Sequence, residues 1–171
     1  MSRGREAEAG GHGHSHAAPA VERIAALASE RSLTLACAES LTAGAIASAL
    51  ARGEDAASWF AGGVVSYMSE VKFEVLGVTE GPVVTASCAQ EMVRGVAALL
   101  GADAAVAVTG VGGPDEEEGQ PAGTVFVATC VHGRTEVTHH RFEGDPLDVL
   151  DQTVAVAIDQ LQAGLVATPG P

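Results

Sequence analysis

Short apolar runs of strand length alternate along this chain with segments of helical period, and that alternation restricts the fold more than any other feature. Residues 33–38 and 104–108 are apolar and too short for buried helices. Residues 61–67 form a third run, and 123–131 and 135–142 read as a hairpin turning at His132-Gly133. Between them, residues 19–30, 42–51, 87–100 and 146–161 repeat their apolar positions at helical spacing, and a short amphipathic segment runs to Leu76. Ser87 with Gln90 predicts a capping box on the third helix. Strands alternating with helices, plus one hairpin, call for a mixed sheet with helices on both faces. Sites on such sheets gather at the carboxyl ends of the strands. Two strand ends carry polar or Gly-containing turns, residues 39–42 and 109–113, and the site is expected between them.

The 171 residues fit one domain with a real core, expected over residues 19–164. Residues 1–18 are polar, Gly-rich and aperiodic and predict a disordered tail, and residues 165–171 predict a frayed end. The apolar fraction is 47% while aromatics make up only 4%, so Ala and Val must do the packing. No apolar run reaches membrane-span length and the start does not read as a signal peptide, so a cytoplasmic protein is expected. The formal charge of −13 disfavours nucleic acid and anionic membrane as partners. Asp115, Glu116, Glu117 and Glu118 form one acidic run, read as a solvated surface. His12, His14 and His16 alternate in the tail without a Cys or acidic ligand to close a metal site, and no metal or other cofactor is expected. Cys37, Cys88 and Cys130 lack metal-ligand spacing and read as buried thiols.

The basic residues carry a sharper signal. Of nine Lys and Arg residues only Lys72 is a lysine, and the only tyrosine, Tyr67, lies five positions before it. Arg can serve any generic cationic role, whereas a buried Lys can lose its proton and act as a base. Ser40 follows a strand and precedes a helix; from position alone an N-cap is the commoner case, and the same place suits a nucleophile near helix N–H groups. His132, His139 and His140 all fall in the hairpin, so no Ser–His–Asp triad is apparent; a serine nucleophile then needs another base, and a desolvated Lys is the usual alternative. Residues 109–114 offer backbone N–H groups with little side-chain bulk, suited to an oxyanion hole or a phosphate cradle, without Walker A or Rossmann spacing.

Taken in order, these motifs resemble a family. The run Ala38-Glu39-Ser40-Leu41-Thr42-Ala43-Gly44 is similar to the A-E-S-x-T-G-G signature of the CinA C-terminal domain. Gly62-Gly63-Val64-Val65-Ser66-Tyr67 with Lys72, Thr109-Gly110-Val111-Gly112-Gly113-Pro114 and Pro121-Ala122-Gly123-Thr124-Val125 extend the resemblance over about residues 20–163. It implies a three-layer α/β/α fold with a mixed, mostly parallel sheet, and a homo-oligomer of two or more subunits. It also implies a nicotinamide-nucleotide amidohydrolase, which converts nicotinamide mononucleotide to nicotinate mononucleotide and ammonia without a metal. Ser40 would be the nucleophile and Tyr67 and Lys72 its activating partners. Glu39, Thr42, Gly44, Ser66, Thr109, Gly110, Gly112 and Gly113 become candidate substrate-binding positions. Two positions depart from the pattern. Ala43 stands where the family usually has Gly, and Gly144-Asp145-Pro146-Leu147-Asp148 lacks both the Arg of the family's G-D-R and the further Arg that shortly follows it. Arg141 is the candidate replacement. The alternative is a catalytically silent CinA-like module that binds a nucleotide or a partner.

Overall fold

The computed structural model describes residues 14–169. The elements run α1 (His14–Arg31), β1 (Leu35–Glu39), α2 (Ala45–Leu50), α3 (Ala56–Trp59), β2 (Phe60–Val65), α4 (Ser69–Leu76), α5 (Ala86–Leu100), β3 (Ala104–Gly110), β4 (Thr124–Val131), β5 (Arg134–Arg141) and α6 (Pro146–Ala167). The five strands form one sheet in the order β2-β1-β3-β4-β5. β2, β1 and β3 run parallel, β4 runs against β3, and β5 runs against β4. Four strands therefore share one direction, and helices cover both faces.

The sequence sorts the two faces by side-chain size. Alternate residues of a strand point to opposite sides of a sheet. In β1 and β3, Leu35, Cys37, Val106 and Val108 face one way and pack with Ile24 of α1 and Ile158 of α6. Ala36, Ala38, Ala105 and Ala107 face the other way and pack under Met92, Val93 and Val96 of α5. Short alanines on that face let α5 lie close to the sheet. The same closeness recurs between helices: a Cβ at Gly95 of α5 would collide with the Leu76 carbonyl at the end of α4. That approach fixes the helix that carries Lys72.

Several boundaries differ from the sequence reading, each for a local reason. Helix α1 starts at His14, inside the stretch assigned to the tail, and Ala17 and Ala20 are already buried in the core. Residues 1–13 and the side chain of His16 lie outside what is described. Helix α6 runs on to Ala167 with Leu165 fully buried, so the frayed end is shorter than residues 165–171. The helix expected at 42–51 is a turn followed by α2, because Ala43 and Gly44 both hold positive φ. Helix α3 was not anticipated; its buried Trp59 donates to the Glu54 carbonyl at 2.9 Å. Thr85, not Ser87, caps α5, accepting from the Cys88 N–H at 3.1 Å. The hairpin does turn at His132-Gly133, with φ of 48° and 80°, the pair of positive values that a two-residue turn between twisted strands needs. All three cysteines are buried free thiols.

Candidate functional site

The carboxyl ends of β1 and β3 face a common cleft of about 540 Å³. Ser40 enters it directly after β1, and residues 109–114 form another wall directly after β3. The two turns touch, since a Cβ at Gly112 would lie 3.8 Å from the Leu41 Cβ. Tyr67, beyond the end of β2, and Lys72, on α4, line the same cleft. The three residues singled out for chemistry thus share one cavity, although they are 32 positions apart from first to last.

Lys72 is 1% exposed, and its Nζ donates to the Ser66 carbonyl at 2.6 Å. Burial holds its pKa below the usual lysine range, against the opposing pull of Cys88, Glu117, Glu118 and Glu70. That is the environment in which an amine spends part of its time neutral. Cys88 lies close enough to feel the Lys72 charge, yet burial pushes its thiol up to about 11, so it stays protonated. Tyr67 is different: at 67% exposure it stands at the mouth of the cleft.

The motif around Ser40 divides its labour. Glu39 is buried, and its carboxylate accepts from the Thr42 hydroxyl at 2.6 Å and from the N–H groups of Gly44, Ile46 and Ala47 at 3.1, 3.0 and 2.8 Å. It therefore occupies the donors at the start of α2 that the sequence reading had offered to Ser40. Ser66 is buried too, its hydroxyl donating to the Glu39 carbonyl at 3.2 Å. Glu39, Thr42, Gly44 and Ser66 consequently form the frame behind the cleft and are absent from its wall. Thr109 reaches the wall, but its hydroxyl is spent on the Val83 carbonyl at 2.8 Å. The Val111 N–H is likewise spent, on the Thr124 carbonyl at 2.8 Å. Among the described residues, the Gly112 and Gly113 N–H groups have no backbone acceptor, which leaves them as the donors the loop presents.

Arg141 does not reach the cleft. It ends β5 and donates to the Thr124 hydroxyl at 3.0 Å, and the wall where the candidate replacement for the missing Arg was expected does not include it. In place of that Arg, Pro146, Leu147 and Leu150 of α6 present apolar surface. The acidic run also departs from a merely solvated surface. Glu118 accepts from the Val83 and Val84 N–H groups at 2.8 Å each, and Asp115, Glu116 and Glu117 line the cleft. Their adjacency in sequence was visible; their position became visible only once the loop after β3 was folded back over the segment that leads into α5. Among the described residues no group of His, Cys, Asp and Glu could hold a metal ion.

Comparison with known proteins places this arrangement in a lineage. The model of the CinA C-terminal domain matches residues 17–165, nearly all of the described chain. The chain belongs to the CinA C-terminal domain family. A CinA-like protein of Geobacter sulfurreducens (strain ATCC 51573 / DSM 12127 / PCA) is 36% identical over 149 residues, covering 84% of this chain. The crystal structure of the competence damage-inducible protein A (ComA) from Klebsiella pneumoniae is 36% identical with a TM-score of 0.85, covering 89% of this chain and 98% of that one. A CinA superfamily protein from Escherichia coli is 31% identical with a TM-score of 0.83, covering 88% and 90%. The chain spans about a third of the length of the curated relatives it matches: 31% of one from Bacillus subtilis and 36% of the Geobacter protein. Within the CinA domain, the left-handed turn at residues 43–44 gives the family's paired glycines a physical meaning, since φ is 49° at Ala43 and 103° at Gly44. No described helix is long and apolar enough to cross a membrane.

Proposed function

We propose that this CinA domain is a serine amidohydrolase acting on the carboxamide of nicotinamide nucleotides, with nicotinamide mononucleotide as the reference substrate. The observation that carries the reading is the meeting of Ser40, a buried Lys72 and the free N–H groups of Gly112 and Gly113 on one cleft. A neutral Lys72 amine keeps its bond to the Ser66 carbonyl through one N–H and has a lone pair left for the Ser40 proton. Ser40 Oγ then attacks the carboxamide carbon, and the developing oxyanion takes the Gly112 and Gly113 N–H groups. The ammonium of Lys72 returns the proton to the leaving nitrogen, and ammonia departs as the C–N bond breaks. Water, deprotonated by the same amine, attacks the acyl-enzyme; the acid leaves and Ser40 recovers its proton. Tyr67, at the mouth, closes over the substrate and relays protons to Lys72. A homo-oligomer is part of the proposal, since Val65, Tyr67 and Met68 at the open edge of the sheet are exposed apolar or aromatic surface.

A second reading, a silent nucleotide-binding module, draws support from the absence of Arg on the cleft wall. One assay separates the two: release of ammonia from nicotinamide mononucleotide, run with and without EDTA. The amidohydrolase releases it in both conditions. A protein that binds the nucleotide and releases no ammonia is the silent module, and activity lost with EDTA and restored by zinc defeats the metal-free mechanism.

A further inference from the structure

We propose that the cleft discriminates against phosphate and takes a pyridinium carboxamide as its nucleoside in preference to its nucleotide. The inference rests on the amide-hydrolase reading and concerns which member of that substrate class the wall accepts. Charge on the wall decides it. Asp115, Glu116 and Glu117 line the cleft, and among the described residues Lys72 is the only Lys, Arg or His that does. The Lys72 Nζ is turned to the Ser66 carbonyl, and its burial favours the neutral form. Lys72, turned to a carbonyl, is thus the single basic group among the described lining residues set against three exposed carboxylates.

A phosphate monoester brings between one and two negative charges at neutral pH, all of them repelled by this wall. A site built for such a group supplies Arg forks or several converging N–H groups. Here Arg141 is held at Thr124, and the surface where the family carries its Arg is made by Pro146, Leu147 and Leu150. Leu147 is 72% exposed, so the cleft edge there presents an apolar side chain with no donor for a phosphate. The pyridinium ring is cationic in nucleoside and nucleotide alike, so the carboxylates attract it in both; the repulsion of the phosphate is what favours the nucleoside. Because the carboxylates are exposed, salt screens this repulsion, with a Debye length of about 8 Å at physiological ionic strength.

The test measures binding to the Ser40→Ala protein by calorimetry, with nicotinamide riboside and nicotinamide mononucleotide as probes, at low and high salt. The riboside is expected to bind at least about tenfold more tightly at low salt, with the gap narrowing as salt rises. The combined variant Asp115→Asn, Glu116→Gln, Glu117→Gln should close the gap; Glu118 is left in place because it holds the Val83 and Val84 N–H groups. Equal or tighter binding of the nucleotide, a gap that survives neutralisation, or no binding of either probe overturns the proposal. Ammonia release by the unmodified protein is scored separately. A preserved preference with no ammonia from either probe sinks the amidase reading alone, and ammonia release with no preference sinks the discrimination alone.

Discussion

The Lys72 Nζ donates to the main-chain carbonyl of Ser66 at 2.6 Å, the residue that directly precedes Tyr67. A carbonyl can hold an amine in place in either protonation state, whereas a carboxylate partner would hold it charged. If Lys72 is the base, Lys72→Arg should fold and bind ligand yet lose at least about a hundredfold in kcat, the low end of acid–base contributions. Arg keeps the charge and cannot give up the proton. Steady-state kinetics decide it, and a loss confined to KM would make Lys72 a binding residue.

The same burial sets a pH dependence. Activity should fall on the acid side as Lys72 takes up its proton and the base disappears. Stability follows a defined sign: the native pKa is lowered, so between it and the unfolded value of about 10.4 the unfolded chain holds more protons. The Lys72 contribution to stability therefore rises with pH across that window and is flat below it. Urea titrations over the alkaline range should show that slope in the parent protein and a shallower one in Lys72→Met.

Ser40 is half-buried in the turn after β1, and neither its side chain nor its position caps α2, because Glu39 does. Ser40→Ala should therefore leave the melting temperature within about 2 °C of the parent, a surface-like change of under about 0.5 kcal/mol. Ammonia release should be abolished. Near-parental turnover in this variant removes Ser40 from the chemistry.

Glu39→Gln keeps the shape and loses half the accepting capacity of a buried group that takes four N–H or O–H bonds. Bonds to a charged acceptor contribute roughly 1.5–3 kcal/mol, so the variant should lose about 2–4 kcal/mol, read as a lowered urea midpoint. A midpoint equal to the parent's would show that the carboxylate does not hold α2 in place.

Ala43 sits at φ 49°, a left-handed conformation that disfavours a Cβ. Ala43→Gly relieves that strain while adding freedom to the unfolded chain, for a net gain of about 0.5–1 kcal/mol. Thermal unfolding should show a rise of roughly 1–4 °C with kcat unchanged. Destabilisation would mean that the Ala43 methyl makes contacts worth more than the strain.

The architecture was largely legible in the sequence, because it depends on local period. Alternating Leu/Val and Ala positions in residues 35–38 and 104–108 specify strands buried on both faces, and the polar or Gly-containing turns at 39–42 and 109–113 point to where the candidate cleft opens. The lone Lys72 and Tyr67 were distinguishable by composition alone. What sequence left undivided was each motif's interior. Glu39 and Ser40 are neighbours, yet one faces the N–H groups of α2 and the other the cleft; the opposite sense of successive side chains at a strand end, together with the left-handed turn at 43–44, makes that division. The reach of Arg141 depended on where β5 ends relative to β3, two strands away in the sheet. The acidic run acquired its role only when residues 115–118 folded over the start of α5, which no local pattern encodes. Period is a property of neighbouring residues and can be read along the chain; which charges meet in a cleft is set by contacts between residues far apart, and only the tertiary structure brings those together.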